Sequence, residues 1–194
     1  MRSAAEDAGF DPVSFSTLVA TLREVQDAAA AAVPSGEVAG AVTADLRRVA
    51  DALRDAAAAP TERRFGRLEE AGRGQTMCPP LHVRELDGDH LRASVRFGPF
   101  HGGFGEHAHG GAVALVLNEA MGMLANASPD VVRLAAYVHV DYRSAAVLGH
   151  TLALRADVAE LTGRKQTVTA ALLDGERTVA EGEGLFLGPP PAGT

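Results

Sequence analysis

The sequence predicts an α+β protein in which a curved antiparallel sheet surrounds one buried helix, behind an N-terminal helical extension. Three observations carry this reading. The composition changes near residue 75: before it the chain is alanine-rich, charged and helical in period, and after it come most of the glycines and all of the histidines. In the second half, apolar and polar residues alternate in several segments of strand length. Between Gly110 and Asn126 lies a run that is apolar nearly all round, the mark of a helix buried on most sides.

Taken in order, residues 14–33 read as an amphipathic helix, with Phe15, Leu18, Val19, Leu22 and Val25 at three- and four-residue steps. Ser14 or Ser16 can cap its start, and Pro34-Ser35-Gly36 breaks it. A second helix is expected from about Val38 to Ala58, with Val42, Leu46, Val49 and Leu53 as its apolar stripe and Pro60 as its stop. The short break makes the two helices expected antiparallel neighbours, covering a surface of the main domain or of a partner subunit. A shorter helical piece is expected at 62–70 and a linker at 72–80.

Residues 90–97 alternate through Leu91, Ala93, Val95 and Phe97, and 81–86 is the expected partner strand across an Asp87-Gly88 turn. Further alternation marks 134–143, the segment holding Leu152 to Val158, the segment holding Val168 to Leu172, and a last strand over 178–187 after the Asp174-Gly175 turn. Their spacing predicts consecutive antiparallel pairing. Pro189-Pro190-Pro191 cannot continue a sheet, so the tail is expected to be loose. The organisation is thus an extension over 1–75, a main domain over 76–188 and a tail over 189–194.

Composition narrows the function. With 194 residues, 46% hydrophobic and 22% charged, the chain can bury a core. A net charge of −7 argues against nucleic-acid binding. The single Cys78 excludes an internal disulfide and a multi-cysteine zinc site. No stretch approaches the roughly 20 apolar residues of a membrane span, and Glu6 and Asp7 stand where a signal peptide would carry positive charge. The expectation is a soluble cytoplasmic protein without membrane or nucleic-acid partners.

The chemistry concentrates in one loop, Gly102 to Gly111, reading GGFGEHAHGG, with His101, His107 and His109 on or beside it. Gly110 and Gly111 start the buried helix. A helix start offers unpaired N–H groups and the positive end of the dipole, and glycine lets a ligand oxygen approach closely. That is the physical recipe for an oxyanion hole. The helix then carries Asn118 and Glu119, nine and ten residues after His109, in an apolar setting. A carboxylate there is costly unless it is paired or functional.

The segment Ala108 to Gly122, AHGGAVALVLNEAMG, resembles the signature of hotdog-fold acyl-CoA thioesterases of the phenylacetyl-CoA and 4-hydroxybenzoyl-CoA type. Those proteins show His-Gly-Gly, an apolar helix, and an Asp or Glu nine residues after the histidine. Val138 to Ser144 (VHVDYRS), Gly149, the Gly163-Arg164-Lys165 turn and the closing EGEGLF of 181–186 also fall where the family has equivalents. The resemblance covers about 78–187 and leaves the N-terminal helices outside. It implies a hotdog fold, a homodimer or homotetramer with active sites at the subunit interface, and an acyl-CoA substrate, with no cofactor beyond the CoA that is part of that substrate.

Carried over residue by residue, the resemblance gives Gly110 the N–H that polarises the thioester carbonyl, with His109 shaping the pocket and Gly111 as a substrate-binding residue. The family's carboxylate position holds Asn118, an amide that cannot accept a proton from water near neutral pH. The Asn or Gln that several relatives carry six residues before the histidine is Gly103 here. Glu119 and Glu106 are substitute bases. Arg143, Arg164 and Lys165 are candidates for the CoA phosphates.

Two alternatives stand beside hydrolysis: a protein that binds acyl-CoA without cleaving it, favoured by Asn118, and a hotdog hydroxyacyl thioester dehydratase, which Leu117 to Met121 loosely resembles although the proline-rich approach to the helix is absent. No carboxylate falls at a usual distance from the three histidines, so no metal is expected.

Overall fold

The computed structural model describes residues 10–60, 62–64, 71–128 and 131–190. The chain divides into two compact units, Met1–Gln75 and Thr76–Thr194.

In the first unit, α1 spans Pro12–Ala31 and α2 spans Gly36–Asp55. Asp11, rather than Ser14 or Ser16, caps α1: its carboxylate accepts from the Val13 and Ser14 N–H groups at 3.1 and 3.2 Å. Pro12 follows at the first helical position, where its missing N–H costs nothing. Ser35 caps α2 by accepting from Val38 N–H. The expected antiparallel hairpin does not form: α1 does not pack along α2. The contacts of α1 go instead to the 3₁₀ turn at Ala71–Gly74, beside which the Arg23 guanidinium donates to Gln75 O. That turn lies in the expected linker. Most of the helical piece expected at 62–70 lies outside the described residues, as does Pro191 of the tail.

The second unit is a six-stranded antiparallel sheet with one long helix against it. Strands β1 (His82–Leu86) and β2 (His90–Arg96) form the first hairpin, and α3 (Gly110–Ala125) follows. Then come β3 (Leu134–Tyr142), β4 (Thr151–Thr162), β5 (Lys165–Asp174) and β6 (Arg177–Leu187). The sheet order is β1-β2-β4-β5-β6-β3. Consecutive pairing therefore holds for β1 with β2 and for β4 through β6, but β3 pairs with β6 and β2 with β4. Alternation fixes which face of a strand is apolar and not which strand lies beside it. Here α3 intervenes between β2 and β3 in the chain, and β3 takes the far edge.

The core lies between α3 and one face of the sheet. Val113, Val116, Leu117, Ala120, Met121 and Leu124 meet Leu91, Val95, Leu152, Leu154, Val168, Leu172 and Phe186. The two glycines of EGEGLF have a packing reason. A Cβ on Gly184 would lie 2.8 Å from the Phe186 ring and 3.4 Å from Met121 Sδ, and one on Gly182 would lie 3.2 Å from His139 O and 3.5 Å from Leu117. Bare backbone on β6 lets α3 settle close to the sheet.

Candidate active site at the start of the buried helix

The loop before α3 is held by main-chain hydrogen bonds. Gly103 N–H donates to His107 O, Ala108 N–H to Ala146 O and His109 N–H to His101 O, each at 2.8 Å, and Leu148 N–H donates to Glu106 O at 2.9 Å. These bonds fix the direction in which α3 begins. A Cβ on Gly103 would stand 2.9 Å from His109 Cα. The main chain thus fills the space at Gly103, where the resemblance leads one to look for an amide side chain.

His109 is the N-cap of α3, with φ −63° and ψ 137°. Its Nδ1 accepts from Gly111 N–H at 3.0 Å. In the neutral ring the proton then sits on Nε2. Gly111 N–H is consumed by this cap, whereas Gly110 N–H makes no hydrogen bond among the described residues. Gly110 therefore presents the open donor at the positive end of the helix. Tyr142, at the end of β3, steadies it: its hydroxyl donates to Gly110 O at 2.9 Å, and its ring stands 3.5 Å from where a Gly110 Cβ would be. Sequence reasoning missed this tyrosine as a site residue, because a contact between residues 110 and 142 leaves no trace in local periodicity.

Asn118 and Glu119 are both half-buried. Asn118 follows Gly111 by two turns on the same face, and Glu119 is turned from it by about 100°. Eight residues of rise place Asn118 about 12 Å along the axis from Gly110. Within one chain these two cannot act on the same atom.

The candidate phosphate ligands are dispersed. Arg143 lies next to Tyr142, but its guanidinium is engaged by Glu181 at 3.0 Å and Asp141 at 3.2 Å. Those two bonds, Glu181 first, hold its pKa above the ordinary value. Arg164 and Lys165 are exposed at the β4–β5 turn, where Arg164 donates to Gly188 O at 3.3 Å. Register shows that this is the other end of the sheet: Lys165 pairs with Leu187, which pairs with Leu134, whereas Tyr142 pairs with Ala180 and that with Leu172. The seven steps from Lys165 to Leu172 span roughly 23 Å. One chain does not bring Lys165 to Gly110.

The three histidines diverge. His107 Nδ1 lies 3.3 Å from Phe104 O, while His101 packs edge-on against Phe97 and Phe100. Among the described residues no group of three or more His, Cys, Asp or Glu side chains is arranged to hold a metal ion. A shallow depression of about 460 Å³ lies on the sheet at His139, Asp141, Arg155, Asp157, Glu181 and Glu183. Ala170, Ala171 and Gly182 line it beside these charged side chains, and the charged side chains belong to the face that alternates with the core face.

A helix enclosed by a six-stranded antiparallel sheet in the order β1-β2-β4-β5-β6-β3, with a glycine pair at the helix start, defines a hotdog-fold unit. By sequence, residues 105–181 match the model of the thioesterase superfamily. Among solved structures, a thioesterase superfamily protein is 24% identical and aligns over 91% of this chain and 92% of its own, with a TM-score of 0.77. Thioesterase superfamily member 2 of zebra fish aligns over 56% of this chain and 81% of its own at 19% identity and a TM-score of 0.52. A Streptococcus mutans protein bound to acetyl CoA aligns over 56% of this chain and 88% of its own at 14% identity and a TM-score of 0.53. The first of these alignments extends into the N-terminal helices. No curated relative matches the chain. No described helix is long and apolar enough to cross a membrane.

Proposed function

We propose that the protein is an acyl-CoA thioesterase of low turnover whose site is completed by a second copy of the chain. The observation that carries this is Gly110: an open N–H at the start of a buried helix, beside a histidine that has already satisfied the next donor. A thioester carbonyl placed on that N–H is polarised, and the oxyanion formed by water attack meets the helix dipole. Collapse of the tetrahedral intermediate breaks the carbon–sulfur bond and releases the carboxylic acid and the CoA thiol. No cofactor beyond the CoA of the substrate enters this reaction. The acetyl CoA bound to the Streptococcus mutans protein supports the same ligand class here.

Two features support the dimer. The edge strand β3 exposes Leu134 by 72%, Tyr137 by 47% and Tyr142 by 56%, and a nine-residue open edge invites pairing. In a two-fold antiparallel pairing of β3 with its copy, the Tyr142 end of one chain meets the Leu134 end of the other. That arrangement brings the partner's Arg164–Lys165 turn toward Gly110 and lets a partner α3 supply what lies 12 Å away in the same chain, a distance that follows from about 1.5 Å of rise per residue.

The low turnover follows from Asn118, which can orient water and cannot take its proton. The same amide supports a second reading, an acyl-CoA-binding protein that does not hydrolyse its ligand. Isothermal titration with acyl-CoA thioesters, paired with release of CoA thiol at steady state, separates the two. Binding with slow release is the expected result. Binding with no release favours the binding protein, and no binding rejects both.

A further inference from the structure

The 20-residue helix α2 buries none of its side chains. Only Ala39 and Ala50 are partly covered, and Val38, Val42, Leu46, Val49 and Leu53 stay 41–52% exposed in one stripe. A lone amphipathic helix of this length is marginal in water, and its stability comes from packing the apolar face. Among the described residues of its own unit, none supplies that packing.

We infer that α2 pairs antiparallel with α2 of a second copy of this chain, an inference independent of the acyl-CoA reading. The steps between Val42, Leu46, Val49 and Leu53 are four, three and four residues, the spacing of a coiled-coil seam with leucine at a and valine at d. That is the reverse of the arrangement that favours a parallel two-stranded coil. Antiparallel pairing sets each leucine opposite a valine, Leu46 against the copy's Val49 and Val42 against the copy's Leu53, so every layer combines a longer with a shorter side chain. Charge points the same way. Residues 36–46 carry two acids and no base, Glu37 and Asp45, whereas residues 47–55 carry three arginines and two acids. Antiparallel packing lays the half of charge −2 over the half of charge +1, and parallel packing would set −2 against −2. The helix dipoles also oppose.

The test uses the full-length protein. Its one native cysteine, Cys78, is buried and gives the baseline. The variants are Leu46→Cys, Val49→Cys and the double change, oxidised mildly and read on a non-reducing gel, with circular dichroism confirming retained helix. A disulfide needs α-carbons within about 7 Å, so the double variant should form covalent dimer about tenfold faster than either single variant. Adding Leu53→Glu to the double variant should slow it again. Rapid cross-linking of Leu46→Cys alone would mean parallel helices and would overturn the inference. So would a double variant that forms no dimer, whether its thiols react freely with a maleimide, as on a bare helix, or are protected, as on a helix docked against another surface.

Discussion

Helices α2 and α3 differ in where their apolar residues go. The α3 stripe is wholly used by its own sheet, with seven buried residues from Val113 to Ala125. Among the described residues of its own unit, nothing uses the α2 stripe. On α3, the positions left partly uncovered include Gly110, Gly111 and Asn118, and these lie where chemistry can use them. On α2, what remains outward is the hydrophobic face itself, which is free only for association. The comparison teaches that the same amphipathic logic yields a site or an interface according to whether the local sheet satisfies the apolar side.

The sharpest way to break this contrast is to cut the same side chain from each helix. Leu117→Ala should destabilise the protein by about 2–5 kcal/mol, since it opens a cavity among Met121, Gly182 and their neighbours. Leu46→Ala should cost less than about 1 kcal/mol in the separated protomer, because the residue is 41% exposed. Urea melts followed by circular dichroism compare the two, and equal losses would show that α2 is packed within its own chain.

A second change sharpens the role of the helix start. Proline is tolerated at the first helical position, and His109 before it already holds the extended backbone that proline requires. Gly110→Pro should leave α3 folded while deleting one N–H. In an Asn118→Asp background, thiol release should then fall by about 10²–10³-fold. Unchanged release would place the oxyanion donor elsewhere.

Much of this was legible in the sequence, and the rest was not for identifiable reasons. The apolar run of α3 and the alternation in β2, β4 and β5 announce themselves because burial by neighbouring elements imposes a period. The loop from Gly102 to Gly111 stands out because backbone chemistry needs glycine. The β3–β6 pairing, the Tyr142 contact with Gly110 and the contact of α1 with the Ala71–Gln75 segment depend on residues far apart in the chain. None of these has a local composition to betray it.

Smaller effects probe each region further. His109→Ala removes the cap on Gly111 N–H and should cost about 0.5–2 kcal/mol, read as a lower Tm. On the sheet face, Asp157 titrates below its ordinary value: burial alone would raise it, and the hydrogen bonds from Arg92 and His90 outweigh that. A depressed carboxylate stabilises the fold above its unfolded pKa and loses that contribution as pH falls through its folded pKa. Asp157→Asn should therefore lower stability slightly near neutral pH. Its difference from wild type should vanish in acid below the normal aspartate range, in paired melts across pH. A difference that persists in acid would assign the effect to packing.

The most direct test of the proposed site is Asn118→Asp, measured as steady-state release of CoA thiol across several acyl chains alongside acyl-CoA affinity. A positioned general base contributes about 10²–10⁴-fold, so the variant should hydrolyse thioesters faster than wild type by a factor in that range with little change in binding. An Asn118→Asp protein that folds, binds acyl-CoA and releases thiol no faster than wild type would contradict the assignment of this position to the reacting carbon.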